Sequence, residues 1–402
     1  MDKLKSIYFL RGVAALAVVI DHCFARGYGP AYDALWFRFI YRLSSYGRLG
    51  VPLFFVISGF CIHLQMARKY RESGQAHLNW RDFWRRRIHR LYPPYLIILL
   101  ITMSLWIYLY ASGGANIYPS RSKIWLALDF VSHVLMLHGF HPALDQGGGN
   151  AVYWTLAREE YLYLMYAGIL LYWRRMFGLG KSLVLVLAFG VISFAVTAAL
   201  VPAGSPWRMT VVHSPIYLWI QWTLGMVAVE AHYGMVKLPK WCYFLALVPV
   251  WLAAGYLATN YLPTFAAAAW GMAFFTLLNY CVKRESEGQW PEWFAFRWLF
   301  SVGVISYSLY LVHAVVAAGI LRITPGLTGL GPVVSTLVAL VIALCCVVAG
   351  KIYYEAIEKH FLNSSSTAPA ALAERVVLLI PSEVNSESVC PVEGVSRLNI
   401  SS

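Results

Sequence analysis

Charge is scarce in this 402-residue chain. Asp, Glu, Lys and Arg together make up only 13%, against about 25% in soluble globular domains. Acidic residues are the scarcer sign, 19 against 32 Lys plus Arg, for a formal net charge of +13. So few charges cannot cover the surface of a water-soluble protein that is 59% hydrophobic with a mean hydropathy of +0.60. A bilayer removes the difficulty, because lipid accepts apolar surface. Cysteine is sparse and unpatterned. Cys23, Cys61, Cys242, Cys281, Cys345, Cys346 and Cys390 include no CxxC pair, and all but Cys390 lie in or beside apolar segments. An odd count without ligand spacing argues against a disulfide framework and against a metal site, and leaves small packing residues. There is no glycine-rich phosphate loop, internal repeat or soluble catalytic domain; Gly147-Gly148-Gly149 reads as a flexible turn before a helix. The positive charge would suit nucleic acid in a soluble protein. Here it sits in loops between apolar runs, so no nucleic acid partner is expected.

Long apolar runs are what the sequence has in plenty. Stretches of spanning length, about 17–25 residues, fall near 7–25, 49–66, 91–111, 151–173, 182–202, 213–233, 240–258, 262–282, 298–321 and 331–352. The expected fold class is therefore all-α: a polytopic bundle of about ten transmembrane helices in membrane lipid. A shorter run, 123–138, holds Asp129, His133 and His138 and reads as re-entrant or interfacial. Alternating spans with the N-terminus inside put most basic residues on one side, from Lys3 and Lys5 through Arg68–Arg90 to Lys351 and Lys359. The opposite loops hold few: Arg26, Arg38, Arg42, Arg48, Arg121, Lys123, Arg208 and Arg322. That asymmetry places both termini in the cytoplasm. The first run contains Arg11, Asp21 and His22 with no clear cleavage site after it, so it reads as a retained span rather than a signal peptide. Residues 1–360 form the membrane domain, and Ser- and Ala-rich residues 361–402 are expected to be a mostly disordered cytoplasmic tail.

Ionisable groups inside spans are costly, and each is a functional candidate. Arg11 and His22 are eleven positions apart, close to three full turns, so they share a helix face about 16 Å apart along the axis. Asp21 sits about 100° round from His22 and is poorly placed to orient it. A packing histidine and a snorkelling arginine fit the same pattern. The segment NWRDFWRRRIHRLYPPY, 79–95, opens with an Asn79/Asp82 cap. Arg87 and Arg90, at i,i+3, project together. It fits either an interfacial helix on anionic lipid or a phosphate site for a cytosolic anionic cofactor. In WTLAREEYLYL, 154–164, Trp154 suits an interface, and Glu159 and Glu160 enter a span beside Arg158. A carboxylate there can orient an imidazole, bind a hydroxyl or pair with Arg158. In SVGVISYSLYLVHAVV, 301–316, Ser306, Tyr310 and His313 fall near one face, which also suits interhelical hydrogen bonding.

Together these segments resemble the acyltransferase-3 family of membrane O-acyltransferases. The text that carries the resemblance is FLRGVAALAVVIDH at 9–22, GVPLFFVISGFCI at 50–62, FWRRRIHRLYPPY at 83–95, WTLAREEYLYL at 154–164 and ISYSLYLVHA at 305–314. It covers about residues 4–358, with the segments in the family's order. The resemblance implies transfer of an acyl group, acetyl first among candidates, from cytosolic acyl-CoA to a hydroxyl of a carbohydrate or lipid-linked glycan at the cell envelope. It implies a multi-pass protein of the bacterial inner membrane, with acyl-CoA as donor substrate and no permanently bound cofactor. It assigns His22 and Glu159 to catalysis and Arg11, Arg87 and Arg90 to the donor. Asp21, Trp154, Glu160, Ser306, Tyr310 and His313 stand in support. Thr155 occupies the place of the usual serine and keeps the hydroxyl. Some members carry a fused esterase-like domain. This sequence ends at residue 402, so acceptor delivery is expected from the membrane part or from a partner such as a polysaccharide-assembly protein.

The resemblance gives a mechanism to test. The arginines hold the CoA phosphates, and the pantetheine arm runs up toward His22, over a distance comparable to the Arg11–His22 separation. His22 acts as general base or takes the acyl group itself, and Glu159 fixes its tautomer or positions the acceptor. The rival reading is a proton-coupled transporter or glycan flippase, in which His22 and Glu159 relay protons. Transporters often carry paired internal repeats, and none is visible here.

Overall fold

The computed structural model describes residues 4–27, 34–74, 78–112, 123–145, 147–324 and 331–362, and every regular element among them is helical. The expected tail lies, but for Phe361 and Leu362, outside the described residues. In chain order the helices are α1 (Lys5–Gly27), α2 (Leu35–Ser45), α3 (Gly50–Ser73), α4 (Trp80–Ala111), α5 (Lys123–Val134), α6 (Pro142–Asp145), α7 (Trp154–Met165) and α8 (Leu171–Leu200). They continue as α9 (Pro206–Val212), α10 (Pro215–His232), α11 (Leu247–Tyr261), α12 (Ala266–Ser286), α13 (Phe294–Val304), α14 (Ser306–Ile323) and α15 (Pro332–Ala356). Seven segments of the described residues are long and apolar enough to cross a membrane. One of them, Ala151–Leu200, runs 50 residues through a π-turn at Tyr166–Leu170. Straight, it would reach about 75 Å, more than twice a hydrocarbon core of about 30 Å. Gly178 breaks it, at φ 77° and ψ 169°, a conformation open essentially to glycine alone.

The outward faces of the long apolar helices suit lipid. On α15, Leu337, Leu340, Val341, Leu344 and Val348 are exposed while Ala339, Ile342, Cys346 and Gly350 are buried. No charge stands among those exposed side chains, as hydrocarbon surroundings require. By contrast α10 is buried from Tyr217 to Glu230 and forms a central post. Its tightest neighbour is α3, where backbones nearly touch. A Cβ on Gly59 would lie 1.9 Å from the Trp222 carbonyl oxygen, and one on Gly225 1.9 Å from that of Val56. Small residues allow this approach, and packing rather than a hydrophobic drive holds helices together in lipid. A buried ion network ties the same helices. Glu230 takes both Nε and Nη2 of Arg174 on α8 (2.9 and 3.0 Å) and bonds His63 of α3 at 3.1 Å, while the other nitrogen of His63 meets the Tyr166 hydroxyl at the π-turn.

Helix α1 runs through the middle of the remaining bundle, against α3, α13, α14 and α15. Its N-terminus is held by Glu285 of α12, whose carboxylate accepts from Lys5 N, Ser6 N and Ser6 Oγ. An anion there satisfies orphan N–H groups and favours the positive end of the helix dipole.

Two elements and one side-chain pairing differ from the sequence reading. The arginine-rich segment and the third span form one helix, α4, with Pro93 and Pro94 inside it; Tyr307 and Tyr353 donate to the carbonyls of Leu91 and Pro94 and tie that stretch to α14 and α15. The run 298–321 is broken at Ile305 into α13 and α14. The new N-terminus of α14 lies inside the protein, and buried Glu358, just past α15, accepts from both N and Oγ of Ser308. Arg158 does not pair with Glu159 or Glu160: its guanidinium bonds Asp145 at 2.7 Å and the His213 carbonyl at 2.6 Å. Helix α5 has 12 residues, about 18 Å, short of a crossing. Asp129 on it accepts from Gly148 N at 2.8 Å, and Gly148 and Gly149 both take positive φ, so the glycine run is a tied turn. His133 stacks flat on His138 at 3.8 Å, and burial pushes the His138 imidazole down to about 3.

Candidate active site

One cavity of about 340 Å³ opens among α1, α3, α4, α7 and α14. It is lined by parts of all five segments that carry the family resemblance. From α4 come Arg86, Arg87 and Arg90, and from α1 come Tyr8 and Arg11. From α3 come Phe54, Ser58, Cys61 and Gln65; from α7, Thr155, Glu159 and Tyr163; from α14, Ser306, Tyr307 and Tyr310.

The arginines are preset. Arg87 lies 3.6 Å over the Phe83 ring and donates from Nη1 to the Phe83 carbonyl at 2.9 Å. Its Nε and that of Arg90 are buried and meet no acceptor among the described residues. A buried donor without a partner costs about 1–3 kcal/mol, so these two N–H groups are poised for an anion. Arg11 donates from Nε to Ser306 Oγ at 3.1 Å. The break at Ile305 is what brings Ser306 there, because it ends one helix and starts the next beside α1. Arg11, Arg86, Arg87 and Arg90 line the same cavity, and guanidinium groups so gathered can offer paired planar donors to an anion such as phosphate.

Deeper in, Glu159 accepts from Ser58 Oγ at 2.7 Å and from the Tyr163 hydroxyl. Both bonds land on Oε1, which leaves Oε2 for a ligand. Tyr163 is four residues on from Glu159 and so lies over the same helix face. Trp222 of α10 donates to Ser58 at 3.3 Å and fixes the serine in turn. Glu160, its neighbour, is buried but does not line the cavity.

Tyr310 also lines the cavity; its hydroxyl bonds Thr155 Oγ1 at 2.7 Å and its ring lies 5.5 Å from that of His313. His22 and His313 bond through Nδ1 of the first and Nε2 of the second at 2.8 Å. Hence Arg11, Arg87, Arg90, Glu159, Ser306 and Tyr310 come together around one space, while His22 and His313 are not among its lining residues. Glu159 bonds Ser58 and Tyr163, and the described bond of the His22 imidazole is the one to His313. Trp154 is stacked on His213 at 4.2 Å, away from the cavity. Asp21 lies by Gly47 and Arg48 at the same end of α1 as His22.

Sequence reasoning missed Ser58, Cys61, Gln65, Tyr163 and Glu358. The i,i+4 spacing of Tyr163 from Glu159 was a usable signal. Glu358 had none, since it follows the last apolar run like any loop charge.

The family model described as "Acyltransferase domain", that of acyltransferase-3 proteins, matches residues 4–351. The "Putative peptidoglycan O-acetyltransferase YrhL" of Bacillus subtilis is 27% identical over 340 residues, 79% of this chain and 51% of its own length. A "Putative O-acetyltransferase" of Staphylococcus aureus is 28% identical over 163 residues, 40% of this chain and 24% of its own. The "Peptidoglycan O-acetyltransferase OatA" of Listeria monocytogenes is 24% identical over 200 residues, 46% of this chain and 31% of its own. The chain thus spans about half or less of the length of these curated relatives. No solved structure matches it. With nearly all of its helical part inside the family model, the chain belongs to the acyltransferase-3 family.

Proposed function

We propose that the protein is a membrane O-acyltransferase that moves an acetyl group from acetyl-CoA, held from the cytosolic side, to a hydroxyl of an envelope glycan. The observation that carries this reading is the cavity with Arg11, Arg86, Arg87 and Arg90 at one end and apolar and hydroxyl-bearing walls beyond. A nucleotide-bearing thioester has that distribution of charge: phosphates at one end, a thin acyl-bearing arm at the other. The printed names of the relatives support acetyl as the group and peptidoglycan as the acceptor class. The topology that fits is about ten crossings with both termini cytoplasmic in the bacterial inner membrane, with Ala151–Leu200 crossing twice about Gly178.

In the reaction, His22 Nε2 removes the acceptor's hydroxyl proton as the oxygen attacks the thioester carbonyl. The C–S bond breaks, the new C–O ester forms, and the departing thiolate takes the proton back from His22. Overall, thioester and alcohol become ester and thiol, and no other reactant is needed. Tyr310 leaves its bond with Thr155 to let the thioester reach His22. Glu159, anchored by Ser58 and Tyr163, accepts a donor N–H from the pantetheine arm or a second acceptor hydroxyl.

The test uses the purified chain in vesicles with acetyl-labelled acetyl-CoA and peptidoglycan fragments. Label recovered as alkali-labile ester on the glycan supports the reading. Passage of intact solute across the vesicle without ester formation overturns it in favour of a transporter.

A further inference from the structure

We infer that Glu358 is a positioning residue of the donor site: it caps the internal start of α14 and so holds Ser306 where Ser306 fixes Arg11. The inference rests on the transferase reading, in which Arg11, Arg87 and Arg90 receive the donor. Glu358 stands past the residues that the family model matches, and its role is read from its contacts alone. A buried carboxylate in a membrane bundle is costly and asks for a reason. The reason lies in how α14 begins. Buried Ile305 occupies its cap position, and that side chain accepts no hydrogen bond. The first N–H groups of a helix need acceptors, which a Ser, Thr, Asp or Asn cap ordinarily supplies. Here the acceptor comes from 50 residues downstream. Glu358, 1% exposed, accepts from Ser308 N at 3.1 Å and from Ser308 Oγ. A carboxylate at this place also meets the positive end of the helix dipole.

Three successive residues of that first turn bond three different elements. Ser306 Oγ accepts from Arg11 Nε of α1 at 3.1 Å. Tyr307 donates to the Leu91 carbonyl of α4 at 2.7 Å, one residue past Arg90. Ser308 is held by Glu358. The turn Glu358–Phe361 rests on α4 as well, with the Phe361 ring 6.0 Å from that of His89. The start of α14 is thus the common support of the two helices that carry the donor arginines. The bond to Ser306 uses one N–H of Arg11 and sets the plane of its guanidinium, so its other donors keep one direction at the cavity wall. Glu358 itself is not among the lining residues; it acts through Ser308 and the helix turn. Reach rather than charge does this work. Burial pushes the Glu358 carboxyl up, against the pull of Ser308, Arg90 and Arg11, and a neutral acceptor of the same length can make the same two bonds. A side chain one methylene shorter draws the acceptor back by about 1.5 Å, out of hydrogen-bond range.

The experiment compares wild type, Glu358→Gln, Glu358→Asp, Ser306→Ala and the Glu358→Asp/Ser306→Ala double variant in the vesicle assay, at matched monodisperse protein. Gln keeps reach without charge, Asp keeps charge without reach, and Ser306→Ala keeps the cap but removes the contact to Arg11. The expected donor KM stays within about twofold of wild type in Glu358→Gln and rises about tenfold in Glu358→Asp and in Ser306→Ala, with kcat little changed. The double variant is expected to be no worse than either single one, because both break the same chain of contacts. Wild-type donor KM in Glu358→Asp, an equal rise in Glu358→Gln, a loss of kcat without a change in KM, or full additivity in the double variant overturns the positioning role. Where Glu358→Asp gives no monodisperse protein, Ser306→Ala decides, and wild-type donor KM in it overturns the inference. All of these outcomes leave the transferase reading intact; absence of ester formation by the wild type overturns that reading itself.

Discussion

At the residue scale, the site divides its labour between charge and shape. Arg87 and Arg90 present buried Nε–H groups that no described acceptor meets, and they flank a space whose other walls are partly apolar. Replacing either with Ala is expected to raise the donor KM by about tenfold or more while kcat changes little, because a phosphate contact is made equally in ground and transition states. Arg87→Lys should recover only part of the loss, since an ammonium cannot lie flat on Phe83 and donate in a plane. Steady-state kinetics against acetyl-CoA checks both. For Glu159, the Gln variant keeps the shape but makes one acceptor oxygen neutral. Its contacts to Ser58 and Tyr163 lose charge assistance. The expected outcome is a kcat lower by roughly one to two orders of magnitude with an unchanged melting temperature; unchanged turnover would remove Glu159 from the chemistry.

At the scale of elements, helices that nearly touch decide where these side chains stand. The crossing of α3 and α10 sets Ser58 against Trp222, and through Ser58 it sets Glu159. Gly225→Leu drives a Cβ to 1.9 Å from the Val56 carbonyl oxygen, where backbone must yield. Overpacking of this kind costs about 1–3 kcal/mol or more, and loss of monodisperse protein on size-exclusion chromatography is the expected result. A fully stable variant would show that the crossing is looser than described. The apolar runs that became α1, α3, α4 and α15 were legible in sequence because lipid imposes length and hydropathy on a crossing helix. The breaks were not. Ile305 lies in an apolar run that continues on both sides, and the stop shows only in three dimensions, where Glu358 takes the N-terminus of α14. The pairing of Arg11 with Ser306 and of His22 with His313 follows from that break. Both residues of each pair could be named from one-dimensional spacing, but not their contact. That Glu159 meets Ser58 and Tyr163 was hidden for the same reason: helix faces say which residues share a side, not which helix comes to meet them.

At the scale of the whole molecule, the cavity joins the arginine-rich end of α4 to the neighbourhood of the histidine pair, with Tyr310 between. Cys61 gives a chemical view of that space, since its side chain lines the cavity while Cys23, Cys242, Cys281 and Cys346 are buried. In a Cys345→Ser/Cys390→Ser background, a small maleimide should label Cys61 in the free protein. Saturating acetyl-CoA should slow that labelling severalfold, and Arg87→Ala should abolish the protection. Equal labelling with and without acetyl-CoA would place the donor elsewhere.

The central claim is that His22 acts as the base for transfer of an acetyl group from the cytosolic donor to an envelope hydroxyl. It is tested most directly by mass spectrometry of O-acetyl esters on the cell-wall glycan of cells that lack this chain, complemented at matched membrane levels with wild type or His22→Ala. The expected result is an ester lost in the deletion, restored by wild type and absent with His22→Ala. Full restoration by His22→Ala would contradict the account.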